Sequence, residues 1–155
     1  MIRTKKRLWL CAVLIGLNVS FIWGNSLLPG TLSGALSGWI RDLIALLIPM
    51  EEGRPDAGHG LLRKLAHFTE FCTLGMCLRW LFGILRSGRV RELIYPLAAA
   101  AAVACTDELI QCFVPDRGPG LKDVGIDTLG AALGIVIISL IYYNKNKKIM
   151  EENKL

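Results

Sequence analysis

The stretch "RKLAHFTEFCTLGMCLRWLFGIL", residues 63–85, is apolar enough over most of its length to enter a bilayer, yet its first eight residues include Arg63, Lys64, His67 and Glu70. An ionisable side chain at the centre of a membrane helix costs at least about 2.5–3.5 kcal/mol, so several together are tolerated only where they face one another or a wet cavity. The stretch therefore predicts a membrane helix whose polar face has partners elsewhere in the chain.

The rest of the sequence supplies the helices that such partners need. The chain has 155 residues, 53% of them hydrophobic, and a mean hydropathy of +0.46, which is high for a soluble domain. Apolar blocks fall at about 8–26, 61–85, 93–113 and 124–143, each near the ~20 residues that span a hydrocarbon core. The first follows "RTKKR" and could be a signal peptide, but its apolar run exceeds the ~7–15 residues of a typical h-region, which favours an uncleaved helix. The expectation is an all-α membrane protein: a single domain of four transmembrane helices, with a short amphipathic interfacial helix in the first extracellular connection. There, Leu36, Trp39, Ile40, Leu43 and Leu47 recur at helical spacing. The five cysteines have no metal-type spacing, and those at 72, 77, 105 and 112 read as buried small side chains.

Charge sets the expected orientation. Twelve of the 18 Lys and Arg residues lie before the first block, around the second connection or in the tail, and six lie in or beside the first and third connections. By the positive-inside rule both termini are expected in the cytoplasm. The net charge of +5 is explained by these flanks, and no aromatic-basic interleaving of the kind that stacks nucleic-acid bases accompanies it.

This orientation brings the unusual polar residues to one side of the membrane. At ~100° per residue, Arg63, His67 and Glu70 fall on one stripe, and Asp107, Glu108 and Gln111 share an arc. Asp123 and Asp127 are spaced i, i+4, with Gly130 and Gly134 continuing their face as a small-xxx-small pair that packs inward. Asn25 and Ser26 end the first block. A shared pocket opening to the outer leaflet is the economical reading, and interhelical bracing is the plain alternative. His67, Glu70, Asp107, Glu108 and Asp123 are the candidates for acid–base catalysis, Glu70 and Glu108 foremost as bases. Arg63, Lys64, Arg117 and Lys122 suit an anionic group at the rim, and Gln111, Asp127, Asn25 and Ser26 complete the binding set. Ser26 becomes a nucleophile only with a base in reach; helix-end capping or packing is the simpler reading. His67, Glu70, Glu108, Asp123 and Asp127 have the chemistry to ligate Mg²⁺, Mn²⁺ or Ca²⁺, but no metal is assigned and no cofactor follows.

"RKLAHFTEF" followed by "LG", and then "DELIQCFVPDRGPGLKDVGIDTLGAALG", resembles the VanZ-like family of small bacterial membrane proteins, first associated with resistance to teicoplanin. The resemblance runs from about Asn25 to Gly134. It implies that Arg63, Lys64, His67, Glu70, Asp107, Glu108, Gln111, Pro115, Arg117 and Asp123 occupy motif positions. Asp127 departs from it, since the family pattern more usually has asparagine there. The function so implied is a cell-envelope protein lowering sensitivity to glycopeptide or lipoglycopeptide antibiotics. The rim cations, rather than the resemblance, supply the expected partner: a membrane lipid or a lipid-linked, anionic envelope precursor that the pocket recognises or modifies. A non-catalytic binding or assembly factor is the runner-up and a small-solute permease the third reading, with a homo-oligomer left open.

Overall fold

The computed structural model describes residues 2–32, 35, 39, 57–85, 88, 90–118 and 120–153. Among them the secondary structure is helical, without strands. Helix α1 is Ile2–Ser26, α2 Ala57–Leu85, α3 Arg91–Gln111 and α4 Leu121–Glu152. All four are long and apolar enough to cross a membrane, and a helix is the form in which one segment satisfies its own backbone in lipid. The chain is a multi-pass membrane protein. The amphipathic helix expected within residues 32–48 lies almost wholly outside the described residues.

The helices pack around Ile22, Phe71, Leu74, Leu78, Ala100, Ala104 and Ala131. Trp9, Leu17, Phe21, Leu129, Leu133 and Leu140 point outwards, the pattern of a bundle whose outer surface meets lipid tails. The closest approach is between α2 and α4. A Cβ on Gly130 would collide with the Phe68 carbonyl, one on Gly134 with the Cys72 carbonyl, and one on Gly75 with the Ala131 carbonyl. With no hydrophobic drive between helices in lipid, this backbone proximity is what van der Waals packing rewards. The inward glycine stripe expected on α4 is present.

Helix ends differ from the hydropathy boundaries for local reasons. Helix α3 stops at Gln111 rather than continuing through Phe113. Its last turns tighten, with Phe113 N–H donating to Ile110 O at 3.1 Å and Val114 N–H to Gln111 O at 3.2 Å. Pro115 follows, which restricts the residue before it and donates no amide hydrogen, and Asp116 then turns the chain at φ 58°. Helix α4 begins at Leu121, just after an extended Gly120. At ~1.5 Å per residue its 32 residues reach ~48 Å, well past the ~30 Å hydrocarbon core, so its charged last turns extend beyond lipid.

Two expectations about side chains are corrected. Cys72 is buried and Cys77 half-buried, but Cys105 and Cys112 are exposed. Helix α3 turns Ala100, Ala104, Asp107, Glu108 and Gln111 inwards, which leaves Cys105 on the outer surface. Cys112 belongs to the turn after the helix. Arg79, grouped with the second connection by charge counting, is instead buried inside α2. Its Nη2 lies 3.0 Å from Glu92 Oε2 of α3, its Nε donates to Ser139 Oγ of α4 at 3.0 Å, and its guanidinium lies 5.1 Å from the Tyr142 ring centre. This clamp joins three helices at the end of the bundle opposite the polar cluster.

Candidate functional site

The cluster is built from the end of α1, the start of α2, the end of α3 and the start of α4. Each helix places its polar residues by phase. On α2, the spacing of 63, 67 and 70 turns all three to one stripe. On α3, Asp107, Glu108 and Gln111 follow Ala100 and Ala104 on the buried face. On α4, the glycine stripe that seats the helix against α2 also carries Asp127 inwards.

Hydrogen bonds between distant segments fix the floor and walls. Asn25 Nδ2 donates to Glu70 Oε1 at 2.9 Å. Gln111 Nε2 donates to Ser26 Oγ at 3.1 Å and to Asp107 Oδ2 at 2.9 Å. The Gly120 N–H donates to Glu108 Oε2 at 2.8 Å, and Lys64 Nζ lies 3.2 Å from Asp123 Oδ1. Arg63, Lys64, His67, Glu108, Gln111, Asp123, Ile126 and Asp127 line a pocket with about 270 Å³ of space. That space includes open solvent, and its enclosed part has room for about one water-sized group, so the site is a small polar cleft at the bundle end.

His67 has an unusual setting. Its Nδ1 lies 3.8 Å from Glu70 Oε2 and 3.9 Å from Asp107 Oδ2, too far for a hydrogen bond to either. His67 Nδ1, Glu70 Oε2 and Asp107 Oδ1 are all buried without a hydrogen-bond partner. Asp107 is fully buried and Asp127 is 2% exposed. Ligand atoms of His67, Asp107 and Asp127 lie within 4.8 Å of one another. The residues able to hold a metal thus differ from the set read in sequence: Asp107 enters, while Glu108 is engaged by the Gly120 amide and Asp123 by Lys64.

Of the residues singled out in sequence, Arg63, Lys64, His67, Glu70, Asp107, Glu108, Gln111, Asp123, Asp127, Asn25 and Ser26 are brought together. Arg117 adjoins them but turns elsewhere. Its Nε donates to Leu28 O at 3.1 Å and its Nη2 to Asn25 O at 3.0 Å, tying the turn after α3 to the carbonyls at the end of α1. The Gly30 N–H donates to Pro115 O at 3.1 Å and seals the same junction. A side chain on Gly30 would strike the Asp116 carbonyl. Burial, reinforced by the nearby Arg63 charge, pushes the Arg117 guanidinium below its ordinary pKa, while Asp107 and Glu108 pull it back up. Lys122 is exposed and outside the pocket lining.

Sequence reasoning missed the Gly120 amide, Ile126 and the carbonyls that Arg117 grips. No side-chain pattern marks a backbone group as a partner. It also missed the bond from Asn18 Nδ2 to Thr73 Oγ1 at 2.7 Å. The position of Arg79 within an otherwise apolar run was a usable signal for the opposite clamp.

The family model described as VanZ/LLP1 matches residues 7–142. No curated protein and no solved structure matches the chain. The match spans most of the four-helix bundle and every residue of the pocket, and the chain belongs to the VanZ/LLP1 family.

Proposed function

We propose that this VanZ/LLP1 membrane protein acts in the cell envelope, where its pocket opens at the outer leaflet and recognises the anionic headgroup of a lipid or lipid-linked precursor. Lowered sensitivity to glycopeptide and lipoglycopeptide antibiotics follows from that engagement. The outward direction is supported by the Lys and Arg asymmetry, by which both termini are expected in the cytoplasm.

The observation that carries the reading is the mixed polarity of one small pocket at a bundle end. Arg63 and Lys64 stand with His67 and buried carboxylates around a small cleft open at the bundle end. A guanidinium offers a bidentate fork and an ammonium a point charge to phosphate or carboxylate. Much of the remaining polarity is spent internally, in the Asn25–Glu70, Ser26–Gln111–Asp107 and Gly120–Glu108 bonds. That internal pairing favours recognition over chemistry as the pocket's first task. His67, whose Nδ1 makes no hydrogen bond, is the group best placed for proton transfer if the headgroup is modified.

Mass spectrometry of envelope lipids and precursors, from cells with and without the protein and from lipid copurified with it, tests the reading. An anionic species that changes in abundance, or that copurifies and is lost in Arg63→Gln, is the expected result. Unchanged lipids, no specific copurifying species and unchanged antibiotic sensitivity would overturn it.

A further inference from the structure

The pocket's acidic and basic groups are unequal in number. Glu70, Asp107, Glu108, Asp123 and Asp127 supply five carboxylates, against Arg63 and Lys64 in the pocket lining and Arg117 beside it, whose guanidinium is bonded to the Leu28 and Asn25 carbonyls. Carboxylates therefore outnumber the basic groups around them. The deepest of them have almost no water contact: Asp107 is 0% exposed, Asp127 2% and Glu108 7%. Buried carboxylates are sustained when they are protonated, paired or coordinated to a metal.

The unpartnered atoms say where compensation belongs. His67 Nδ1, Glu70 Oε2 and Asp107 Oδ1 lie buried without hydrogen bonds, and the two carboxylate contacts of His67 are 3.8 and 3.9 Å long. Those distances are too great for hydrogen bonds; the first reaches the free oxygen of Glu70, and the second reaches Asp107 Oδ2, the oxygen that Gln111 holds. Two atoms that each sit about 2.0–2.6 Å from a cation are at most about 5 Å apart, and the His67, Asp107 and Asp127 ligand atoms fall within 4.8 Å of one another. Gln111 holds Asp107 through Oδ2, and Asn25 holds Glu70 through Oε1. In both cases the outer hydrogen bond orients the carboxylate and leaves its second oxygen free, as the supporting residues of metal sites do.

We propose that the pocket floor is a divalent cation site formed by His67, Asp107 and Asp127, with Glu70 beside it. One imidazole nitrogen among carboxylate oxygens, without a thiolate, suits a cation of the Mn²⁺ type. The inference deepens the headgroup reading and rests on it for its purpose, because a bound cation would take one oxygen of a phosphate or carboxylate while Arg63 holds another.

The test is titration of the purified full-length protein in detergent, after chelator treatment, with Mn²⁺ alone and read by electron paramagnetic resonance of the free ion. One Mn²⁺ bound per chain is expected. Asp107→Asn and Asp127→Asn should each weaken binding at least about tenfold, with Glu151→Gln in the exposed tail as the unaffected control. Each asparagine keeps the shape of the residue it replaces and removes a buried charge, and size-exclusion chromatography verifies the fold; Asp127→Asn decides the matter if Asp107→Asn yields no protein. Absence of stoichiometric binding by the parent protein, or unchanged binding in the folded variants, would overturn the site. The titration contains no envelope lipid, so its failure would remove the cation and leave headgroup recognition standing. Intact Mn²⁺ binding with no lipid or antibiotic phenotype would do the reverse.

Discussion

Glu108 Oε2 accepts the Gly120 N–H at 2.8 Å, so a carboxylate at the end of one membrane helix holds the backbone that begins the next. The turn between them is thereby closed beside the pocket that Glu108 and Asp123 line. Glu108→Gln keeps an oxygen that can accept this bond, and membrane abundance should stay near normal. Glu108→Ala leaves the amide without its acceptor, at about 1–3 kcal/mol. Its thermal midpoint in detergent should fall measurably below that of Glu108→Gln.

His67→Ala separates a binding pocket from a brace. Neither carboxylate near Nδ1 is within hydrogen-bond distance, so removal of the ring breaks no close pair. Near-normal abundance on a membrane blot with loss of the proposed antibiotic tolerance, or of whichever envelope phenotype the protein has, is expected, whereas breaking a structural buried pair would cost roughly 3–5 kcal/mol. Parallel loss of protein and phenotype would assign His67 to bracing.

Gly134→Leu should strip most folded protein from the membrane. A Cβ at this position already meets the Cys72 carbonyl of α2, and a larger side chain must push the helices apart, at a cost of about 1–3 kcal/mol or more. Gly125→Ala, where a Cβ meets nothing, is the matched control and should accumulate normally. Equal blot intensities for the two would remove the close α2–α4 contact.

Arg79→Met should destabilise the bundle by roughly 3–5 kcal/mol, because Glu92 is left without its partner. Adding Glu92→Gln removes the orphaned charge, and the double variant should recover much of the lost thermal midpoint. A double variant no more stable than Arg79→Met would assign the clamp's contribution to the Ser139 and Tyr142 contacts instead.

A reporter inserted near Gly58 should read as external, and reporters after Asn146 or between Arg86 and Arg91 as cytoplasmic, following the basic-residue asymmetry. A cytoplasmic signal at Gly58 would turn the pocket to the inner leaflet and exclude an extracellular ligand.

The four helices and their approximate limits are legible in the sequence because a bilayer imposes a length and a polarity on any segment that crosses it. These are local sums over neighbouring residues. His67, Glu70, Asp107 and Asp127 stand out for the same reason, since each is conspicuous against an apolar background. Helical phase even predicts their common faces, because 100° per residue is a property of the backbone. What a given side chain touches is of another kind. Asn25 meets Glu70, Gln111 meets Ser26 and Arg117 reaches the Asn25 carbonyl only because the α2–α4 glycine contact and the Pro115–Arg117 turn set the rotation and depth of each helix. The same packing draws Arg79 away from the charged connection to Glu92 and gathers His67, Asp107 and Asp127 into one ligand set. Hydropathy and spacing determined that polar groups had to meet within this bundle; the interhelical geometry decided their partners, because hydrogen bonding and coordination depend on atomic separations that no one-dimensional pattern carries.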